Sequence, residues 1–192
     1  NCEFELDHGA VTLAPTSPLA RVLAVAPDAA TSHAIESVGR ALHREKGTIS
    51  SDTVARLRDL WDTRLDAIAK RPEAFPDELE AFSWWFASKR FDAAWTADRL
   101  LRAAELRGGI PANHWLLEAL VALAALIPVA AVRILALVVR GEPEPMTLSY
   151  ETPAFRGVIT GARTQASAEL EAAIQDLLGL LPAKGCTDLL DL

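Results

Sequence analysis

The chain has 192 residues, enough for one large domain or two small ones with a substantial core. Hydrophobic residues make up 51% and charged residues 23%, ordinary values for a globular protein, and the abundance of Ala and Leu favours helices over sheet. A formal net charge of −7 argues against general nucleic-acid binding, although a local basic face is compatible with it. That charge is uneven: residues 40–107 hold 13 of the 19 Lys and Arg against 12 acidic residues, and the rest of the chain holds 6 against 14. Intermixed signs of this kind usually decorate solvated helix faces.

Residues 1–27 form the least regular segment. "CEFELDHGAVTL" offers a short hairpin interrupted at His8-Gly9, and Pro15, Pro18 and Pro27 leave only "PLARVLAVA" for two turns of helix. The first residue is Asn and no signal peptide is visible, so a fragment or processed product of a longer polypeptide is expected. Cys2 and Cys186 lie at opposite ends without metal-type spacing, and free thiols in a reducing cytoplasm are expected.

From residue 28 the pattern becomes helical, and 28–192 reads as one helical-repeat domain. "TSHAIESVGRALHREKG" places Ile35, Val38 and Leu42 on one face after a cap at Thr31 or Ser32. "SSDTVARLRDLWDTRLDAIAK" starts at a Ser51 cap and aligns Val54, Leu57, Trp61, Leu65 and Ile68 in one apolar stripe. Lys70-Arg71 and Pro72 end it.

"FPDELEAFSWWFAS", "IPANHWLLEALVALAALI" and "IPVAAVRILALVVRG" share a device, an apolar residue followed by Pro in the first helical turn. "FDAAWTADRLLRAAELRGG" supplies a helix between the first two and ends at Gly108-Gly109. Helices near 53–70 and 92–107 therefore alternate with helices near 77–88 and 113–127, and Pro76 and Pro111 stand 35 residues apart. This punctuation predicts an all-α, irregular HEAT-like helical-pair repeat, an α-solenoid. The apolar run 119–139 reads as two buried helices meeting at Pro128 rather than a membrane span. Arg133 within it is expected to be buried against an acidic side chain or helix-end carbonyls. A long loop is expected at 141–152, where "EPEPMTLSYETP" carries three prolines. A last helix near 164–181 and a docked tail, "KGCTDLLDL", close the chain.

Six of the twelve aromatic residues crowd into 81–95, "AFSWWFASKRFDAAW". Most belong to a seam between helices, because each buried ring contributes large apolar area with few rotamers to freeze. Phe91 is expected to begin the next helix. Trp84 is the exception, pointing away from Phe82 and Phe86 and lying beside Lys89-Arg90. Trp84, Lys89, Arg90 and Arg71 are the candidate binding residues. A nucleic-acid alternative would use Arg56, Lys70, Arg71, Lys89 and Arg90 on phosphates with Trp84 stacking.

Catalysis is weakly supported, and an enzyme with a small-molecule pocket between helices would need a polar cluster that the sequence does not assemble. His8, His33, His43 and His114 are scattered, and no HExxH, GxSxG, GxGxxG or Walker-type loop occurs. No catalytic residue, metal or cofactor is therefore expected.

The runs "LWDTRLD", "ELEAFSWWFASKRFDAAWTADRLLRAAELRGG" and "HWLLEALVALAALIPVAAVRIL", with the closing "LLGLLPAKGCTDLLDL", resemble the C-terminal helical-repeat regions of large bacterial STAND- and NACHT-type NTPases. The likeness spans residues 53–192 and lies in the hydrophobic-aromatic pattern. It implies a non-enzymatic sensor in a cytoplasmic antiviral defence or signalling protein, whose partner is a foreign protein or another domain of the same chain. The NTPase motifs are absent, so no nucleotide-binding residue carries over.

Overall fold

The computed structural model describes residues 28–44, 47–70 and 76–189, all of whose regular elements are helical. Residues 1–27, with the short hairpin expected there, lie outside the described residues, as do Cys2 and Arg71. The chain divides into two compact units, Asn1–Phe91 and Asp92–Leu192. No described helix is long and apolar enough to cross a membrane.

The first unit contains α1 (Asp28–Arg44), α2 (Ser51–Ala69) and α3 (Pro76–Ala87). α1 starts ahead of the expected caps, and Thr31 is buried inside it. On α2 the cap is Ser50, whose hydroxyl accepts from the Thr53 amide at 3.2 Å. Thr53 is buried and Val54 only half-buried, while Leu57, Trp61, Leu65 and Ile68 form the buried stripe.

α1 and α3 pack along each other in the same direction: Gly39 faces Trp84, and His43 one turn on faces Ala87. Gly39 makes this approach possible, since a Cβ there would lie 2.7 Å from both Trp84 Cβ and Trp85 Cδ1. Trp85 is fully buried, and its indole N–H donates to the Ile35 carbonyl at 2.8 Å. Trp61 from α2 stacks on Phe82 with centroids 4.8 Å apart and meets Trp85 edge-on. Phe91 stacks on Trp85; it precedes the next helix rather than beginning it, because Asp92 is that helix's cap. The aromatic run is thus largely seam. Across it, the fully buried Glu78 accepts two bonds from Arg64 at 2.6 and 2.7 Å.

The second unit contains α4 (Ala93–Arg107), α5 (His114–Leu123), α6 (Pro128–Gly141), α7 (Pro145–Tyr150), α8 (Thr152–Ala162) and α9 (Ala168–Leu180). α6 is buried over most of its surface, as its largely apolar sequence requires, and packs against α4, α8 and α9. The C-terminal ends of α4 and α6 touch backbone to backbone: the Ile110 amide donates to the Leu137 carbonyl at 3.3 Å, and a Cβ on Gly109 would lie 2.6 Å from the Gly141 nitrogen. α5 and α8 also run in the same direction, with Gly157 against Val121 and Gly161 against Ala124.

Pro111 does not sit in a helical first turn; Asn113 caps α5 by accepting from the Trp115 and Leu116 amides. α5 stops at Leu123, and the apolar run does break at Pro128, which disfavours helical geometry at Ile127. The long loop expected at 141–152 is not there. Pro145 opens α7 and Pro153 lies in the first turn of α8, so these prolines start helices instead of interrupting them. Arg133 is exposed, not buried, although it does meet an acidic side chain, Glu169, at 3.1 Å.

The tail docks as far as it is described. Cys186 and Leu189 are buried, and the Lys184 ammonium donates to the carbonyls of Glu142 at 2.7 Å and Arg140 at 3.4 Å. The buried Glu142 carboxylate accepts from the amides of Ala112 and Glu144. One residue thereby ties two loops and the tail together.

Candidate binding surface

The sequence-level candidates centre on the C-terminal end of α3. That helix closes with the Ser88 amide on the Trp84 carbonyl and the Lys89 amide on the Phe86 carbonyl. Lys89 then takes φ 55°, the left-handed region usually left to glycine, and its side chain is exposed.

Trp84 is half-buried on the side of α3 facing α1. The Arg40 guanidinium lies over its ring at 4.5 Å from the centroid, and His43 meets it edge-on at 5.8 Å. Such a cation over an indole at an exposed site contributes about 0.5–1 kcal/mol. Arg40 is held there by Glu36, one turn earlier, with Nη2 2.7 Å from Oε1. Nδ1 of His43 lies 3.2 Å from the Ala87 carbonyl, which can only accept, so Nδ1 carries the proton.

Arg90 has a different role from Lys89. Its Nε donates to the Leu42 carbonyl at 3.3 Å and its Nη1 to the Gly47 carbonyl at 2.8 Å. It therefore closes the C-terminal end of α1, where unpaired carbonyls and the negative end of the helix dipole both favour a cation. Arg44 is exposed on the same end of α1.

The structure thus joins Trp84 and Arg90 to α1, sets Lys89 at the same helix end, and leaves Arg71 outside the described residues. It does not gather the full set of the nucleic-acid alternative. Arg56 and Lys70 stand near opposite ends of α2, and 14 residues of helix span about 21 Å. Sequence reasoning missed Arg40, His43 and Arg44. The available signal was Gly39 inside a helix, a position where glycine is costly unless another element comes close.

The second unit exposes Trp115, Val121, Leu126, Met146 and Tyr150. Trp95, half-buried on α4, carries the Arg99 guanidinium at 5.2 Å. Among the described residues, no group of three or more His, Cys, Asp or Glu side chains is placed to hold a metal ion. Compared with protein-family models, curated proteins and solved structures, the chain matches none.

Proposed function

We propose that the chain is a non-enzymatic, protein-binding helical-repeat domain of HEAT-like type, the C-terminal sensor part of a larger cytoplasmic bacterial defence or signalling protein. The repeat reading is supported by next-but-one packing within each unit, α1 on α3 and α4 on α6, with the C-terminal ends of each pair tied together. Stacked helical pairs place alternate helices side by side in this way.

The non-enzymatic part is supported by how buried polar groups are used. Glu78 is held by Arg64, Glu142 by two backbone amides, Thr96 donates to the Asp92 carbonyl and Ser88 to the Trp85 carbonyl. Each of these groups is engaged in holding the fold. The defence and signalling context rests on the sequence resemblance.

The observation that carries the binding reading is the half-buried Trp84 with Arg40 across its ring, beside the exposed Lys89. Aromatic and Arg side chains on a rigid helix end are the groups that anchor protein interfaces. Formaldehyde cross-linking followed by affinity capture from phage-infected and uninfected bacterial lysates tests it, comparing wild type with Trp84→Ala. A defined protein captured by wild type and lost from a folded Trp84→Ala is the expected result. Capture of the same material by both refutes the surface. Nuclease-sensitive material released at high salt would move the reading to nucleic acid.

A further inference from the structure

Two helices end together at the Trp84 surface, and the charges of the described residues there do not cancel. Arg40, Arg44, Lys89 and Arg90 gather at the C-terminal ends of α1 and α3, and Glu36 is the acidic side chain bound among them. Each helix end is worth about half a negative charge. Among the described residues, four cations against Glu36 and two helix ends leave about two net positive charges. Arg90 and His43 donate to the Leu42, Gly47 and Ala87 carbonyls and Arg44 reaches back to the Arg40 carbonyl, so hydrogen bonds to the α1 end account for Arg90 and Arg44 but not for the exposed Lys89. Lys89 adds a second mark. It is the one non-glycine residue with positive φ among the described residues, at a position where glycine would serve the turn without strain and without a charge.

We propose that this end of the α1–α3 pair docks an acidic segment of a partner protein. Carboxylates meet Arg40, Arg44 and Lys89, and an apolar side chain of the segment covers the part of Trp84 that Arg40 leaves open. The proposal rests on the protein-binding reading and names the class of partner. An acidic peptide is favoured over nucleic acid by magnitude. Tight nucleic-acid binders neutralise about 6–10 phosphates, whereas about two net charges suit a short run of carboxylates. The chain's net charge of −7 further opposes a polyanion that extends past the patch and suits a segment that ends within it.

The test is an amide NMR titration of the isotopically labelled full chain with a peptide of alternating Glu and Leu, against a Lys-and-Leu peptide of equal length. Shifts confined to residues 40–44 and 84–90 and to the Trp84 indole are expected with the acidic peptide, with none from the basic one. The double variant Arg44→Glu, Lys89→Glu should bind at least tenfold more weakly. Arg44→Gln, Lys89→Gln serves if the reversed pair unfolds, with a threefold or greater loss. Affinity unchanged by either variant, shifts spread over other surfaces, or stronger binding of a single-stranded oligonucleotide at the same residues would overturn the proposal. Cross-linked capture lost in Trp84→Ala but retained after charge reversal overturns the acidic-segment proposal alone. Capture of nothing by wild type overturns the reading beneath it.

Discussion

Gly39→Ala sets two effects of opposite sign against each other at one atom. Gly39 lies well inside α1, where replacing glycine by alanine stabilises an isolated helix by about 0.8–1 kcal/mol. The new Cβ would sit 2.7 Å from Trp84 Cβ and 2.7 Å from Trp85 Cδ1. Neither neighbour can move cheaply. Trp84 Cβ is fixed to the α3 backbone, and the Trp85 indole is fully buried and bonded to the Ile35 carbonyl. Extra carbon in a packed seam costs about 1–3 kcal/mol, and two rigid contacts place this site at the upper end. The net expectation is a loss of about 1–2 kcal/mol, with α1 pushed off α3. Gly179→Ala is the control: it lies in α9 with nothing within 4 Å of a new Cβ, so it should be neutral or stabilising by up to about 1 kcal/mol. Urea unfolding followed by indole fluorescence weights the first unit, which holds Trp61, Trp84 and Trp85, and a Trp95→Phe, Trp115→Phe background removes the signal of the second. A Gly39→Ala chain as stable as wild type, or more so, would refute the close approach and with it the geometry of the Trp84 surface.

Three further perturbations follow from the same contacts. Lys89→Gly should raise the unfolding midpoint, with relief of about 1–2 kcal/mol of left-handed strain partly offset by glycine's chain entropy; a fall in the midpoint in urea would contradict the assigned φ. Glu78→Ala strands the Arg64 guanidinium against a buried seam and should cost about 3 kcal/mol, measured by chemical denaturation; a loss under about 1 kcal/mol would mean that the pair is solvated. Lys184→Met removes a charged donor from two carbonyls at the end of α6 and should speed native-state labelling of Cys186 by a thiol reagent about tenfold, since a charged hydrogen bond contributes about 1.5–3 kcal/mol. Equal labelling rates would show that the Lys184 bonds do not hold the tail, leaving that to the buried Cys186 and Leu189.

The helices were legible where burial is one-sided. The Leu57, Trp61, Leu65 and Ile68 stripe, the glycine stop at Gly108 and the break at Pro128 all follow from local pattern. The prolines of 141–152 misled because proline disrupts a helix interior and equally opens a helix, and only the following residues tell which. Leu148, Phe155, Val158 and Ile159 are that signal, all buried and spaced for helical faces across the α7–α8 junction. Arg133 misled for a related reason. An apolar run suggests burial on every side, yet α6 still turns one strip outward, and Arg133 and Arg140, two turns apart, occupy it.

The binding surface was half legible, and the missing half has a physical cause. Trp84, Lys89 and Arg90 are neighbours in sequence, so composition alone draws attention to them. Arg40 and His43 stand more than forty residues earlier and reach the site only because α1 and α3 run in the same direction with their ends level. No periodicity within either helix encodes that alignment. It is set across the pair, by the glycine that lets the backbones meet, by the Trp85 bond to the Ile35 carbonyl and by Arg90 on the Leu42 and Gly47 carbonyls. Arg90 is therefore a poor choice as a ligand contact and a good one as the residue that keeps the contact groups in register. Arg90→Ala should weaken acidic-peptide binding in proportion to its effect on stability, while Arg44→Ala and Trp84→Phe should weaken binding with the unfolding midpoint nearly unchanged. Paired denaturation and titration of the three variants separates these roles; if Arg90→Ala abolished binding at full stability, the guanidinium would belong to the recognition surface itself.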